Sequence, residues 1–126
     1  MSERASRMTE LPLFIYGSLR DPLVRTQLLG PRPDLTTCPA TLHGFERQTV
    51  PSFGYPFLVP ADTVAGPDAR VDGELLLGLR SEDYRLLDRY EDLDDGLYVR
   101  SVVTVQTTGG PSAAWAYLRG PNAPLQ

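Results

Sequence analysis

The sequence is poor in the residues that most often mark chemistry: one cysteine, one histidine and no lysine among 126 residues. With Cys38 alone, an internal disulfide and a thiolate zinc site are excluded. With His43 alone, no histidine cluster can hold a metal. A Cys38–His43 pair stays arithmetically open. However, Cys38 precedes Pro39 in a polar stretch with no helix start to activate its thiolate. His43, in Leu42-His43-Gly44-Phe45, reads as an ordinary residue at a strand end. All 12 basic residues are arginines, scattered along a chain of net charge −4, which argues against an extended nucleic-acid surface. No apolar run approaches membrane-spanning length, and Met1 to Glu10 lacks the hydrophobic region of a signal peptide. A soluble, cytoplasmic protein with no membrane partner is the expectation.

What is present suits one small domain. A hydrophobic fraction of 41% at this length can fill a core, and 12 prolines with 11 glycines favour many short elements over a few long helices. Residues 1–10 read as a flexible arm, 11–120 as a single domain and 121–126 as a tail. Residues 12–17 form a first strand, buried on both faces because its apolar run is nearly continuous. Tyr16-Gly17-Ser18-Leu19 then makes a tight turn, and Asp21-Pro22 opens a helix ending at about Leu29 before Gly30-Pro31. Leu23, Val24, Leu28 and Leu29 give that helix an inward stripe. Signals weaken from Pro31 to Asp68: a strand at 40–48, a loop through Gly54-Tyr55-Pro56 into a short strand, and a turn-rich link from Val64 to Ala69. Val71 to Leu77 is a strand in which Gly73 marks a bulge or a close backbone approach. Ser81 caps a second helix, with Glu82 and Asp83 in its first turn, that stops around Asp94-Asp95-Gly96. Tyr98 to Thr107, with Val99, Ser101, Val103 and Val105 on one face, and Ala113 to Leu118 form a hairpin across Thr108-Gly109-Gly110-Pro111. The sum is an α+β fold: a small mixed β-barrel of about five or six strands with two main flanking helices.

Two features point to chemistry. A strand–turn–helix of this kind leaves backbone N–H groups without partners, aimed at one point where a small anion such as a carboxylate can sit. No dinucleotide fingerprint or phosphate loop follows, so nucleotide binding has no support. The second feature is an acid. Seven carboxylates lie between residues 82 and 95, and helix geometry selects among them. If Leu86, Leu87, Tyr90 and Leu93 form the apolar arc, Glu91 projects at its border, between Leu87 and Tyr84. Asp88 and Asp92 then point to a solvated face among Arg85 and Arg89. A carboxyl group at an apolar border has its charged form disfavoured, which raises its pKa toward the range useful for proton transfer.

Taken in order, Tyr16-Gly17-Ser18-Leu19, Gly54-Tyr55-Pro56, Val71-Asp72-Gly73-Glu74-Leu75 and Leu87-Asp88-Arg89-Tyr90-Glu91 followed by Tyr98-Val99-Arg100 resemble the γ-glutamylcyclotransferase-like superfamily. Within it the chain is most similar to the avirulence-induced-gene-like (AIG2-like) proteins. The resemblance runs from about residue 12 to 118. It implies a mixed barrel with a cavity at one end and a turn, here Tyr16 to Leu19, whose amides bind the substrate's α-carboxylate. It also implies an acid/base glutamate, here Glu91, the residue that helix geometry selects. Tyr98 matches a recurrent tyrosine that donates to substrate, and Arg100 fits a structural role equally well. The implied reaction closes a γ-glutamyl amine or amino acid into 5-oxoproline and a free amine, with no metal or cofactor. Arg20-Asp21-Pro22 departs from the glutathione-specific branch, which disfavours glutathione.

Two other readings stand beside this one. The turn and acid also suit a non-catalytic binding module for a small carboxylate metabolite. The acidic stretch from Glu82 to Asp95 also suits an interaction domain for a basic partner. A monomer is expected, because no heptad or apolar exposed helix suggests a partner surface.

Overall fold

A computed structural model describes residues 10–49, 56–61, 69–91 and 96–122. Seven strands and two α-helices occur among them: β1 (Leu13–Ile15), α1 (Pro22–Leu29), β2 (Thr36–His43), β3 (Phe45–Thr49), β4 (Pro56–Pro60), β5 (Arg70–Leu77), α2 (Ser81–Tyr90), β6 (Tyr98–Thr107) and β7 (Gly110–Arg119). Five strands close into a barrel in the order β1-β5-β2-β6-β7, and β3 and β4 form a separate two-stranded sheet. Every barrel pair is antiparallel except β7 with β1, which run parallel at Leu13 and Trp115. There the Trp115 N–H donates to the Pro12 carbonyl at 2.9 Å and completes the closure.

Strand alternation sorts apolar side chains into two cores. One fills the barrel interior with Phe14, Tyr16, Leu42, Leu75, Val105 and Ala116 among others. The other lies between the barrel wall and the helices, with Leu13, Ile15, Leu76, Tyr84, Leu87 and Tyr117. β1 belongs to both, Phe14 inward and Leu13 with Ile15 outward, so all three of its residues are buried. That is the two-faced burial its apolar run implied. Gly73, on neighbouring β5, allows β1 to come close: a Cβ there would strike the Ile15 carbonyl oxygen and meet the Phe14 ring at 2.9 Å.

Several boundaries differ from expectation. β2 begins at Thr36, not near residue 40, and runs through Pro39 along β5. Pro39 is tolerated because β2 bridges β6 only at Thr41–Gln106, which leaves its missing N–H without a ladder to break. The single strand expected over 40–48 is two, separated at Gly44, whose φ of 82° turns the chain. On β6 the face of Val99, Ser101, Val103 and Val105 is buried only in part. Val103 and Val105 are buried, but Val99 is exposed, and Tyr98 and Arg100 turn to the layer beneath the helices. Helix α1 matches its expected limits, with the Asp21 carboxylate accepting from the Leu23 N–H at 2.9 Å. Its stripe does not: Val24, Leu28 and Leu29 pack on the core, whereas Leu23 is 72% exposed. Ser81 is the first residue of α2 and not its cap. The Asp83 carboxylate accepts from the Arg80 N–H at 2.8 Å, and the Ser81 hydroxyl turns to Glu10. The helix ends at Tyr90, before the expected Asp94-Asp95-Gly96. The expectations placed on residues 1–9, Gly54-Tyr55, the link 64–68, Asp92 to Asp95 and residues 123–126 lie outside the described residues. No described helix is long and apolar enough to cross a membrane.

Candidate active site

β1 delivers the chain to one end of the barrel, where a 3-10 turn (Ser18–Arg20) separates it from α1. The helix therefore does not open directly after the glycine. The turn's own hydrogen bonds run from the Arg20 N–H to the Gly17 carbonyl and from the Asp21 N–H to the Ser18 carbonyl, both 3.0 Å. The N–H groups of Gly17, Ser18 and Leu19 take no part in those bonds. Side chains brace the turn from three directions. Arg47 donates to the Tyr16 carbonyl at 2.6 Å, Arg25 donates to the Leu19 carbonyl at 2.7 Å, and the Ser18 and Tyr90 hydroxyls share a 3.0 Å hydrogen bond. A Cβ on Gly17 would lie 3.5 Å from the Pro56 ring, an ordinary contact, so steric crowding does not require glycine there.

Against this turn lies a cavity of about 170 Å³, lined by Tyr16 to Leu19, Pro56, Tyr90, Glu91, Leu97, Tyr98 and Tyr117. It is smaller than the roughly 300 Å³ at which drug-sized pockets begin, which matches a small metabolite. An open groove continues outward over Arg20, Arg47 and Glu74, sharing Tyr16, Gly17, Ser18 and Pro56 with the cavity. All five residues selected from the sequence, Tyr16, Gly17, Ser18, Leu19 and Glu91, thus border one space.

Glu91 is half-buried at the C-cap of α2, its N–H bonded to the Leu87 carbonyl at 2.9 Å. The apolar arc is rotated from the expected one. Tyr84 and Leu87 are fully buried, whereas Leu86 and Tyr90 are 42% and 37% exposed. Positions 84, 87, 88 and 91 then share the face toward the barrel, the spacing of one helical stripe. This corrects the reading of Asp88. Its carboxylate does not face solvent among arginines; Arg100 grips it with Nε at 2.9 Å and Nη2 at 3.1 Å. The Tyr117 hydroxyl donates to the same carboxylate at 2.7 Å. The Arg100 guanidinium sits over the Tyr84 and Trp115 rings, 4.6 and 4.4 Å from their centroids, a doubly stacked cation. Asp88, Arg100 and Tyr117 were missed as a group, although the 84/87/88/91 stripe in the sequence could have placed Asp88 beside Glu91.

Of the tyrosines lining the cavity, Tyr16, Tyr98 and Tyr117 commit their phenol protons inward. Tyr16 donates to the Tyr117 carbonyl at 2.5 Å, and Tyr98 donates to the Pro56 carbonyl at 2.9 Å. The Tyr98 hydroxyl, which the resemblance casts as a donor to substrate, gives its proton to the main chain in this structure. Burial, above all, pushes the Tyr16 and Tyr117 phenols well above their ordinary range, and for Tyr117 the hydrogen bond to Asp88 adds to the effect. Among the described residues no cluster of three metal-ligating side chains occurs.

The family described as gamma-glutamyl cyclotransferase, AIG2-like, matches residues 13–126, and the chain belongs to it. AIG2-like protein C of Arabidopsis thaliana is 35% identical over 96 residues, 76% of this chain and 50% of that protein. AIG2-like protein D of the same plant is 33% identical over 96 residues, 76% of this chain and 57% of that protein. The chain thus spans about half the length of these curated relatives. A solution structure of an Arabidopsis thaliana protein superposes with a TM-score of 0.71 at 28% identity, covering 90% of this chain and 71% of that one. A solved gamma-glutamyl cyclotransferase, 21% identical, superposes with a TM-score of 0.66 over 86% of this chain and 66% of that one, a likeness of fold.

Proposed function

We propose that the chain is a γ-glutamylcyclotransferase that closes the γ-glutamyl group of an amine or amino acid into 5-oxoproline. One observation carries the reading: the amide-bearing turn and the Glu91 side chain border the same small cavity. The turn's N–H groups hold the α-carboxylate of the substrate. The α-ammonium, brought beside Glu91, gives it a proton and becomes a nucleophile. Its nitrogen then attacks the γ-carbonyl carbon, the amide C–N bond breaks, the Glu91 proton passes to the departing nitrogen, and the extra proton of the ring nitrogen is carried off by the released amine, which leaves as its ammonium. One C–N bond forms and one breaks, no water is consumed, and the glutamate returns to its starting charge. Holding nucleophile and carbonyl together removes much of the entropic barrier, and a positioned base contributes about 10²–10⁴-fold.

The test is Glu91→Gln, which keeps shape and removes the base. Across a panel of γ-glutamyl amines and amino acids, 5-oxoproline release should fall by about 10²–10⁴-fold while thermal unfolding is preserved. Near-wild-type turnover in the variant would overturn the assignment. Binding of these compounds without turnover by the wild-type protein would establish the binding-module reading instead.

A further inference from the structure

The Asp88 carboxylate receives three hydrogen bonds, two from Arg100 and one from Tyr117. Paired with a guanidinium, it is an acceptor only, so the direction of the Tyr117 bond is fixed: the phenol gives its one proton to Asp88. Whatever Tyr117 offers the cavity it lines is therefore a lone pair. We infer that Asp88 and Arg100 are a positioning pair that holds Tyr117 as a hydrogen-bond acceptor for the ammonium group of the substrate's amino-acid head.

The inference rests on reading the cavity as a γ-glutamyl site, and two features of the geometry support it. An ammonium has three donors and no acceptor. It fits where Glu91 and the proton-committed Tyr117 line the same cavity, while the Tyr16–Leu19 turn offers donors to a carboxylate on the same carbon. The polarity also suits the reaction. After the ammonium has lost a proton, a donating phenol would bond the amine lone pair and mask the nucleophile. An accepting one takes an N–H and leaves the lone pair for the γ-carbonyl. Arg100 offsets the charge of Asp88, which stands three residues before Glu91 on the same stripe, so the Asp88 charge adds little to that of Glu91. The Tyr84 and Trp115 rings in turn hold the guanidinium in place.

The test compares two ligands that differ only at the α-position: L-glutamine, the smallest γ-glutamyl amide, and glutaramate, which lacks the ammonium. Dissociation constants are measured by calorimetry for the wild type, Asp88→Asn, Tyr117→Phe and the double variant. The wild type should prefer glutamine. Each single variant should lose about tenfold of that preference, on the scale of one hydrogen bond to a charged group, and the double variant should lose no more than either single one. Losses that multiply in the double variant would mean that Asp88 does not act through Tyr117. An unchanged preference in the single variants, or no preference in the wild type, would overturn the inference. If Asp88→Asn does not fold, Tyr117→Phe, which removes one oxygen, decides whether the phenol reads the ammonium, and unchanged preference there overturns the proposal. 5-Oxoproline release is assayed in parallel. An Asp88-dependent preference without release leaves this inference standing and removes the cyclotransferase reading, whereas release without that dependence does the reverse.

Discussion

At the N-terminal end of α2 the Asp83 carboxylate is only 4% exposed, while at the C-terminal end Asp88 and Glu91 are half-buried. Ranked by depth alone, Asp83 would be taken for the functional acid. Its partners say otherwise. It accepts from the Arg80 N–H and from Arg32 Nη1 at 2.7 Å, and Arg32 extends to both Asp34 oxygens and the Gly78 carbonyl. That network clips the link before β2 to the link before α2, and Asp83 borders neither of the two pockets described. At the other end the acids touch a phenol, a stacked guanidinium and a cavity. A deeply buried carboxylate with every partner inside the protein serves the fold. One less buried and bordering a space, as Glu91 is, is placed to meet a ligand.

The largest break in this contrast would come from Asp83→Ala. Removing the Asp83 carboxylate takes away one of the two carboxylates that hold Arg32 and the acceptor of the Arg80 N–H, which should cost about 2–4 kcal/mol by denaturant unfolding, with turnover per folded molecule nearly unchanged. A collapse of turnover at full stability would erase the distinction between the two ends. Gly73→Ala sharpens it from the barrel side. The added methyl presses on Ile15, which leads straight into the Tyr16–Leu19 turn, so stability should fall by about 1–3 kcal/mol and turnover should fall with it. The smallest effect concerns the outer rim of the Asp83 network. Hydrogen bonds from Arg32 hold the exposed Asp34 carboxyl at about 2, below its ordinary 3.8. Because the folded value is the lower one, the pairing stabilises above about pH 4 and that stability is lost as the pH falls toward 2. The difference in Tm between wild type and Asp34→Asn should therefore be slight near neutrality and vanish in acid.

Where local chemistry sets an element, the sequence reads well. Asp21-Pro22 and Gly30 bracket α1 because a cap, a pre-set φ and a stop act within a few residues. The end of α2 was misread because no proline or glycine follows Tyr90 until Gly96, and a polar run does not say where the last turn frays. β2 was read short because Pro39 is a poor strand former held extended by β5, a tertiary effect that overrides propensity. The place of Glu91 beside the turn was legible from helical period and family resemblance together. The Asp88–Arg100–Tyr117 group was not, since its members lie 12 and 29 residues from Asp88 and meet only once the barrel closes.

The inward commitment of the phenols has an optical consequence. The sequence holds six tyrosines, and burial raises three of them, Tyr16, Tyr84 and Tyr117, above the ordinary value of 10.0. Followed by near-ultraviolet absorbance during an alkaline titration, those three should stay silent while the barrel holds. Since their folded values are the higher ones, they favour the native state fully below pH 10 and lose that contribution as the pH climbs further. Their tyrosinate signal should then emerge in one cooperative step, a built-in spectroscopic report of the moment the chain opens.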